Sequence, residues 1–155
     1  MADVKPIPDN YPRLAPYLCV DGAAAAIDWY KSVLGARQRG EVMTAPGGKV
    51  GHAELEFGSS VIMLADEWPD EGVRGPKSIG GSPVTLHLYV QDSDAVVAHA
   101  EREGATVQRK VEDRFYGDRS GQIIDPFGHI WNISTHIEDV PPEEMARRAA
   151  AEMGG

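Results

Sequence analysis

Histidine and glutamate side chains that could bind a metal ion occur in two segments of the sequence. His52, Glu54 and Glu56 alternate along one segment of β-strand composition, and His87 lies two residues after Thr85 in another. Side chains two residues apart in a strand share one face of the sheet. If these faces point into a cleft, His52, Glu54 and His87 would form a His₂-carboxylate set suited to non-haem iron or zinc.

The same residues also have non-catalytic interpretations. A strand face that meets water is polar, which accounts for Glu54 and Glu56 equally well. His87 lies within the apolar run at residues 86–89, where a hydrogen-bonded core histidine is the alternative to a ligand. The metal set therefore stays an open alternative.

Other catalytic patterns are absent from the sequence. It contains no phosphate-binding GxxxxGK or GxGxxG motif, and no serine lies in a nucleophile-elbow context. The single cysteine, Cys19, falls inside an apolar run, which predicts a buried side chain rather than a nucleophile. No catalytic residue is assigned.

Short strands and helices must position these side chains. Strands are predicted at residues 14–20, 37–44, 49–57, 61–65, 84–90, 106–111, 120–124 and 130–135, and helices at 23–34, 94–103 and 141–153. Asp21 is predicted to cap the first helix and Asp92 or Ser93 the second. Gly35 and Gly104 are predicted to end them.

The two halves of this pattern are copies of each other. Aligning Leu18-Cys19-Val20 with Leu88-Tyr89-Val90 gives a repeat of about 70 residues, each with the order βαβββ. The predicted fold is α+β, with two βαβββ modules that form paired four-stranded mixed sheets and enclose a concave cleft. An extended arm is predicted at residues 1–12, followed by a domain at 13–137. The domain consists of module one at 13–68, a connector at 69–82 and module two at 83–137. A helical tail at 138–155 follows and is interpreted as an appendage or dimer contact.

Composition excludes several partners. The net charge of −9 opposes nucleic acid and anionic lipid, and no apolar run approaches the ~20 residues of a membrane-spanning helix. The first residues have no export-signal pattern, and one cysteine makes no internal disulfide. We expect a cytoplasmic protein with neither a nucleic-acid partner nor a membrane.

Five segments carry a resemblance to a known family. They are Val20 to Ala36, His52-Ala53, Met63 to Asp66, Tyr116 to Arg119 and Asp125 to Asn132. Together they resemble the glyoxalase, bleomycin-resistance and extradiol-dioxygenase superfamily, also called vicinal oxygen chelate proteins, and its PhnB-like branch, over residues 13–137. This fold hosts isomerases, dioxygenases, thiol transferases and non-catalytic drug-binding proteins, so the resemblance implies a fold more than a function.

The resemblance also implies where a metal would lie. Enzymes of the superfamily place one ligand on the first strand and one on the last strand of each module. The alignment puts Ala15, Met63, Thr85 and Asn132 at these positions, and none is a histidine or carboxylate. We therefore expect the usual metal positions to be vacant and no cofactor to be bound, with one divalent ion at His52, Glu54 and His87 as the alternative.

Tyr116-Gly117-Asp118-Arg119 resembles a PhnB-like motif on a hairpin that borders the cleft. In that setting Tyr116 can stack on a ligand and Arg119 can pair with its acidic group. The alternative is a turn at Asp118 with Arg119 in a surface ion pair.

These observations favour a homodimeric small-molecule-binding protein that holds an aromatic or planar ligand in the cleft. The predicted ligand-binding residues are Tyr17, His52, Met63, Trp68, His87, Phe115, Tyr116, Arg119 and Asn132. One alternative is a metal-dependent lyase, isomerase or dioxygenase. The other is a non-catalytic module whose cleft is filled by the arm or by a partner subunit.

Overall fold

The computed structural model describes residues 3–154, which divide between Gly80 and Gly81 into two compact units. The first unit contains the arm and module one, and the second contains module two and the C-terminal tail. Within the described range no helix combines the length and the apolar character needed to cross a membrane.

Module one is a four-stranded sheet with one helix. Its elements are β1 (Tyr17–Val20), α1 (Ala23–Leu34), β2 (Arg37–Thr44), β3 (Val50–Phe57) and β4 (Ser60–Asp66). The strand order is β1-β4-β3-β2, with β1 parallel to β4 and the other pairs antiparallel. Gly35 ends α1 in the left-handed region (φ 75°), as predicted.

The connector after β4 contains regular structure that its composition did not indicate. A 3₁₀ turn at Pro69–Glu71 is followed by the short helix α2 (Pro76–Ile79). Proline stands at the start of each, where its missing N–H costs nothing. The Glu67 carboxylate accepts hydrogen bonds from Gly75 N (2.7 Å) and Ser78 Oγ (2.5 Å), which tie the connector back to module one.

Module two repeats the arrangement. Its elements are β5 (Thr85–Tyr89), α3 (Ser93–Arg102), β6 (Thr106–Asp113), β7 (Asp118–Ile124) and β8 (Ile130–His136), and α4 (Pro142–Met153) follows. The strand order is β5-β8-β7-β6, again with only the first pair parallel. Each sheet is open, and the predicted α+β fold of two βαβββ modules is confirmed.

The predicted cap of α1 is wrong. The residue directly before α1 is Gly22, which has no side chain with which to cap the helix. The buried carboxylate of Asp66 caps the helix instead, because its Oδ1 accepts hydrogen bonds from Gly22 N (3.0 Å) and Ala23 N (2.8 Å). Its Oδ2 accepts from Val50 N (2.7 Å), so one side chain joins β4, α1 and β3. In α3 the prediction is confirmed, since Asp92 accepts from Ala95 N (3.1 Å).

One face of each sheet packs on its helix. In module one, Tyr30 and Ile27 of α1 are buried with Leu18, Leu55 and Leu64 of the strands. In module two the buried residues are Val97 and Ala100 of α3 with Ile123, Trp131 and Ile133. Strand alternation leaves the opposite, helix-free face of each sheet for other side chains.

Candidate functional site

A row of ladder partners crosses the helix-free face of module one. Tyr17 on β1 is paired with Met63 on β4, Met63 with Glu54 on β3, and Glu54 with Arg39 on β2. His52 lies two residues before Glu54 and so shares this face. The structure therefore brings together Tyr17, His52 and Met63 of the predicted ligand-binding set.

Hydrogen bonds link the polar members of this row. The Tyr17 hydroxyl lies 2.8 Å from His52 Nδ1, and His52 Nε2 lies 2.8 Å from Glu54 Oε2. Arg39 Nε is 3.5 Å from Glu54 Oε1, and Arg39 Nη1 is 3.9 Å from Glu56 Oε2. Burial, and after it the negative charge of Glu54, raises the pKa of Tyr17, so its hydroxyl stays a neutral hydrogen-bonding group.

The N-terminal arm lies against the same face. Arg39 Nη2 donates to the Asn10 carbonyl (2.9 Å), and its guanidinium is 5.1 Å from the centre of the Tyr11 ring. A cavity of about 470 Å³ between arm and sheet is lined by Pro6, Ile7 and Tyr11 and also by Ala15 and Met63. The two positions where the resemblance places metal ligands in module one therefore face this chain's own arm.

A second row crosses the helix-free face of module two. His87 on β5 is paired with Asn132 on β8, Asn132 with Gln122 on β7, and Gln122 with Arg109 on β6. Gln122 Nε2 donates to Asn132 Oδ1 at 2.8 Å. Asn132 Nδ2 approaches His87 Nδ1 at 3.5 Å, at the outer limit of a hydrogen bond.

His87 is exposed, so its interpretation as a core histidine is wrong. Leu86 and Leu88 turn toward α3, and His87 turns away from it with Tyr89, whose ring centre is 4.9 Å distant. Its place beside Asn132 agrees with the predicted grouping of these two residues.

A cavity of about 370 Å³ lies above the second row. Gln122 and Asn132 contribute to its lining, together with Arg109 and with Phe115 and Tyr116 from the turn between β6 and β7. The two rings contact edge to face with centres 5.2 Å apart. Three predicted binding residues, Phe115, Tyr116 and Asn132, therefore meet in one cavity.

The C-terminal helix holds this aromatic turn in place. Arg148 of α4 donates to the Phe115 carbonyl (3.1 Å) and forms ion pairs with Glu138 (2.8 Å) and Glu144 (2.9 Å). Hydrogen bonds from Arg147 and Arg148 lower the pKa of Glu144 to about 2, so the carboxylate stays charged. Helix α4 thus supports the cavity from within its own chain.

Two predicted ligand-binding residues lie elsewhere. Arg119 is paired with Thr135 on the α3 side of the sheet, opposite Asn132, and its guanidinium binds Asp113 (Nε to Oδ1, 2.7 Å). Trp68 is the last residue before the connector, and Lys49 Nζ lies 4.7 Å from its ring centre. The structure does not bring these two side chains to the residues with which they were grouped.

The predicted PhnB-like motif, Tyr116-Gly117-Asp118-Arg119, makes structural contacts with neighbouring segments. Gly117 has φ 99°, and a Cβ there would collide with the Glu138 carbonyl oxygen. Asp118 is 4% exposed, and its carboxylate accepts a hydrogen bond from the Tyr89 hydroxyl (2.9 Å). The motif therefore marks a point where the chain of the tail crosses the turn.

A polar chain through Asp118 was missed in the sequence. Asp118 Oδ1 lies 2.9 Å from His136 Nδ1, and His136 Nε2 lies 2.7 Å from Asp139 Oδ1. These hydrogen bonds, the one to Asp118 first, raise the pKa of His136. Asp118 was noted as part of a motif, but its partners lie on β5 and β8 and carry no local signal.

The structure bears in part on the predicted metal set of His52, Glu54 and His87. His52 and Glu54 are in contact, whereas His87 belongs to the second unit. Across residues 3–154 no group of three or more histidine, cysteine, aspartate or glutamate side chains is placed to hold a metal ion. The set of His52, Glu54 and His87 stays a prediction.

The chain contains two open βαβββ modules. Each sheet has one face packed on a helix and an opposite face that bears a cross-strand row of mostly polar side chains. This is the arrangement of the vicinal oxygen chelate class of proteins. The family model of the Glyoxalase/Bleomycin resistance protein/Dioxygenase superfamily matches residues 12–133. The chain belongs to this superfamily, as the sequence motifs predicted.

Individual proteins are similar to this chain in sequence or in fold. An uncharacterized protein of Mycobacterium tuberculosis strain H37Rv is 40% identical over 147 residues, covering 93% of this chain and 86% of that protein. The X-ray structure of the Arabidopsis thaliana gene product At5g48480 is 29% identical with a TM-score of 0.64, covering 80% of this chain and 98% of that one. A PhnB protein of Bacillus cereus shares the fold at 14% identity and a TM-score of 0.63, covering 80% and 99%.

Proposed function

We propose that this chain is a small-molecule-binding protein that holds an aromatic or planar organic ligand. The observation that carries the proposal is the cavity of about 370 Å³ in module two, where Phe115 and Tyr116 meet the amides of Gln122 and Asn132. Its volume is within the range of ≈ 300–1,000 Å³ that is typical of ligand-binding pockets. The two rings are its main apolar surface, and charged side chains form much of the remaining wall.

The floor of the cavity offers oriented hydrogen-bonding groups. Because Gln122 donates to Asn132 Oδ1, the Gln122 carbonyl remains to accept a hydrogen bond and the Asn132 amide hydrogens remain to donate. The long contact to His87 holds these hydrogens only weakly. A ligand with one donor and one acceptor at its edge would complete this pair.

The rings supply the apolar contact. Phe115 is half-buried, and Tyr116 is 38% exposed beside it. A further aromatic ring against such a pair contributes ~0.5–1.5 kcal/mol beyond the area that it buries. Tyr17, His52 and Met63, on the helix-free face of module one, stay predicted contacts.

A titration with planar aromatic compounds tests the proposal. A panel of neutral, cationic and acidic members would be titrated by calorimetry, with the side-chain amide signals of Asn132 and Gln122 followed by NMR. We expect those two signals to shift on binding and Gln122→Ala to weaken binding about fivefold, the effect of one lost hydrogen bond. Gln91→Ala, which removes an exposed amide outside the cavity, is the matched control and should change Kd less than twofold. Absence of binding across the panel contradicts the proposal.

A self-filled module is the second candidate, favoured by the arm. Arg39 holds Asn10 and Tyr11 against the sheet beside Met63, as a tethered ligand would lie. Removing residues 1–12 should then strengthen binding of the same panel. Unchanged affinity after this truncation would leave the arm a structural element.

We also propose that the protein is a cytoplasmic homodimer. Large apolar side chains are exposed in both units, among them Leu14 (88%), Met43 (65%) and Tyr89 (59%). Burial of such side chains stabilises association.

A further inference from the structure

We propose that Arg109 binds an anionic group of the ligand, so that the ligand of module two is an aromatic carboxylic acid. This inference rests on the proposed function and adds the charge of the ligand to it. Arg109 lines the cavity beside Gln122, its partner across β6 and β7.

The internal repeat provides the comparison that identifies Arg109. Arg39 and Arg109 occupy corresponding places, since each ends the cross-strand row of its module on the second strand. In module one the guanidinium of Arg39 lies 3.5 Å from Glu54 and 3.9 Å from Glu56. Its charge is thus balanced by two carboxylates on β3.

Neither carboxylate is present in module two. The ladder partner of Arg109 is Gln122, and the residue that corresponds to Glu56 is Ile124. Within residues 3–154 Arg109 makes no ion pair shorter than 4.0 Å and no hydrogen bond through its side chain. Module two therefore keeps the arginine of the repeat without its counter-charges.

Two carboxylates, those of Glu112 and Asp113, line the same cavity as Arg109, and each has another partner. Glu112 is paired with Arg114 (3.2 Å), and Asp113 with Arg119 (2.7 Å). Arg114 also donates to the Ser120 carbonyl (3.1 Å), so its guanidinium is held in the wall of the cavity. Glu152 of α4 also lines the cavity, but it lies farther than 4.0 Å from Arg109. Its negative charge would repel a multiply charged anion more than a singly charged one, so it favours a monocarboxylic acid.

Arg109 and its surroundings fit a carboxylate. The planar guanidinium presents two parallel N–H groups that match the two oxygens of a carboxylate. The Gln122 and Asn132 amides lie next along the same row, and the Phe115 and Tyr116 rings can contact an aromatic body.

The test compares two probes of nearly the same shape, 2-naphthoate and its neutral amide 2-naphthamide. Calorimetric Kd values would be measured for the wild type and for Arg109→Gln. We expect the variant to bind 2-naphthoate about tenfold more weakly and 2-naphthamide within twofold of the wild type. Arg102→Gln is the matched control, since it makes the same charge change on the exposed surface of α3 and should leave both affinities unchanged.

A second variant tests the inference without removing Arg109. Ile124→Glu restores the carboxylate that Glu56 supplies in module one, and we expect it to weaken 2-naphthoate selectively. Its fold would be checked from the dispersion of the NMR amide signals.

The outcomes separate this inference from the proposed function. If Arg109→Gln weakens both probes equally, or neither, the anion-binding role is overturned while ligand binding stands. If the wild type binds neither probe nor any other member of the aromatic panel, both are overturned.

Discussion

At the scale of single residues, His136 is a titrating group held by two carboxylates. It lies between the buried Asp118 and the exposed Asp139, and both carboxylates raise its pKa above the ordinary value of 6.5. A raised pKa in the folded state means that His136 contributes its full stabilisation below about pH 6.5. That contribution is lost as the pH rises through the folded pKa.

The titration of His136 can be followed directly by NMR of its ring protons. We expect a midpoint above 6.5 in the wild type, lowered more by Asp118→Asn than by Asp139→Asn because Asp118 is the larger cause. In His136→Gln the loss of thermal stability between pH 6 and 8 should become smaller. A wild-type midpoint at or below 6.5 would show that the two carboxylates do not hold the proton.

Residue types and the family resemblance together indicated part of the site. Aromatic residue type predicted Phe115 and Tyr116, the family resemblance pointed to Asn132, and these three meet in one cavity. Arg119 was grouped with them, but strand alternation places its side chain on the α3 face. Arg109 was not singled out, because its unbalanced charge is visible only when the registers of both sheets are compared.

At the scale of elements, the start of α1 depends on a residue far away in the chain. Asp66 is 44 residues after Gly22 and accepts hydrogen bonds from three backbone N–H groups, whereas Asp21, adjacent in sequence, is exposed. Local sequence favours Asp21 as the cap because aspartate before a helix usually caps it. The parallel pairing of β1 with β4 instead brings Asp66 to the helix end.

Substitution of these two aspartates distinguishes the local cap from the distant one. Asp66→Ala leaves three N–H groups without their acceptor and should lower the free energy of unfolding by about 3 kcal/mol. Asp21→Ala should change it by less than about 0.5 kcal/mol. Urea denaturation followed by circular dichroism measures both, and equal effects would contradict the role of Asp66.

The sequence predicted most element boundaries well. Helix α1 and strand β2 have the predicted ends, since glycine and the hydrophobic period mark them. Strand β1 begins at Tyr17 rather than Leu14, because Pro16 has no N–H for the ladder. Helix α2 is a single turn, too short to produce a periodic pattern.

At the scale of the whole molecule, the net charge of −9 affects the proposed homodimer. Two copies of an acidic chain repel each other, and salt screens this repulsion over about 10 Å at 0.1 M. We therefore expect the dimer to tighten about fivefold between roughly 0.02 M and 0.5 M NaCl. Sedimentation velocity over a concentration series would measure it, and a monomer mass at every salt and protein concentration would contradict the homodimer.

The two cross-strand rows also have an evolutionary meaning. A gene duplication gives one polypeptide two copies of the same arginine position, and selection can then act on each copy separately. In module one Arg39 forms ion pairs with Glu54 and Glu56 and donates a hydrogen bond to the Asn10 carbonyl of the arm. In the other, neutral residues at positions 122 and 124 leave Arg109 unbalanced. Among the described residues, a substitution at Arg109 therefore breaks no ion pair of the fold, whereas a substitution at Arg39 breaks two.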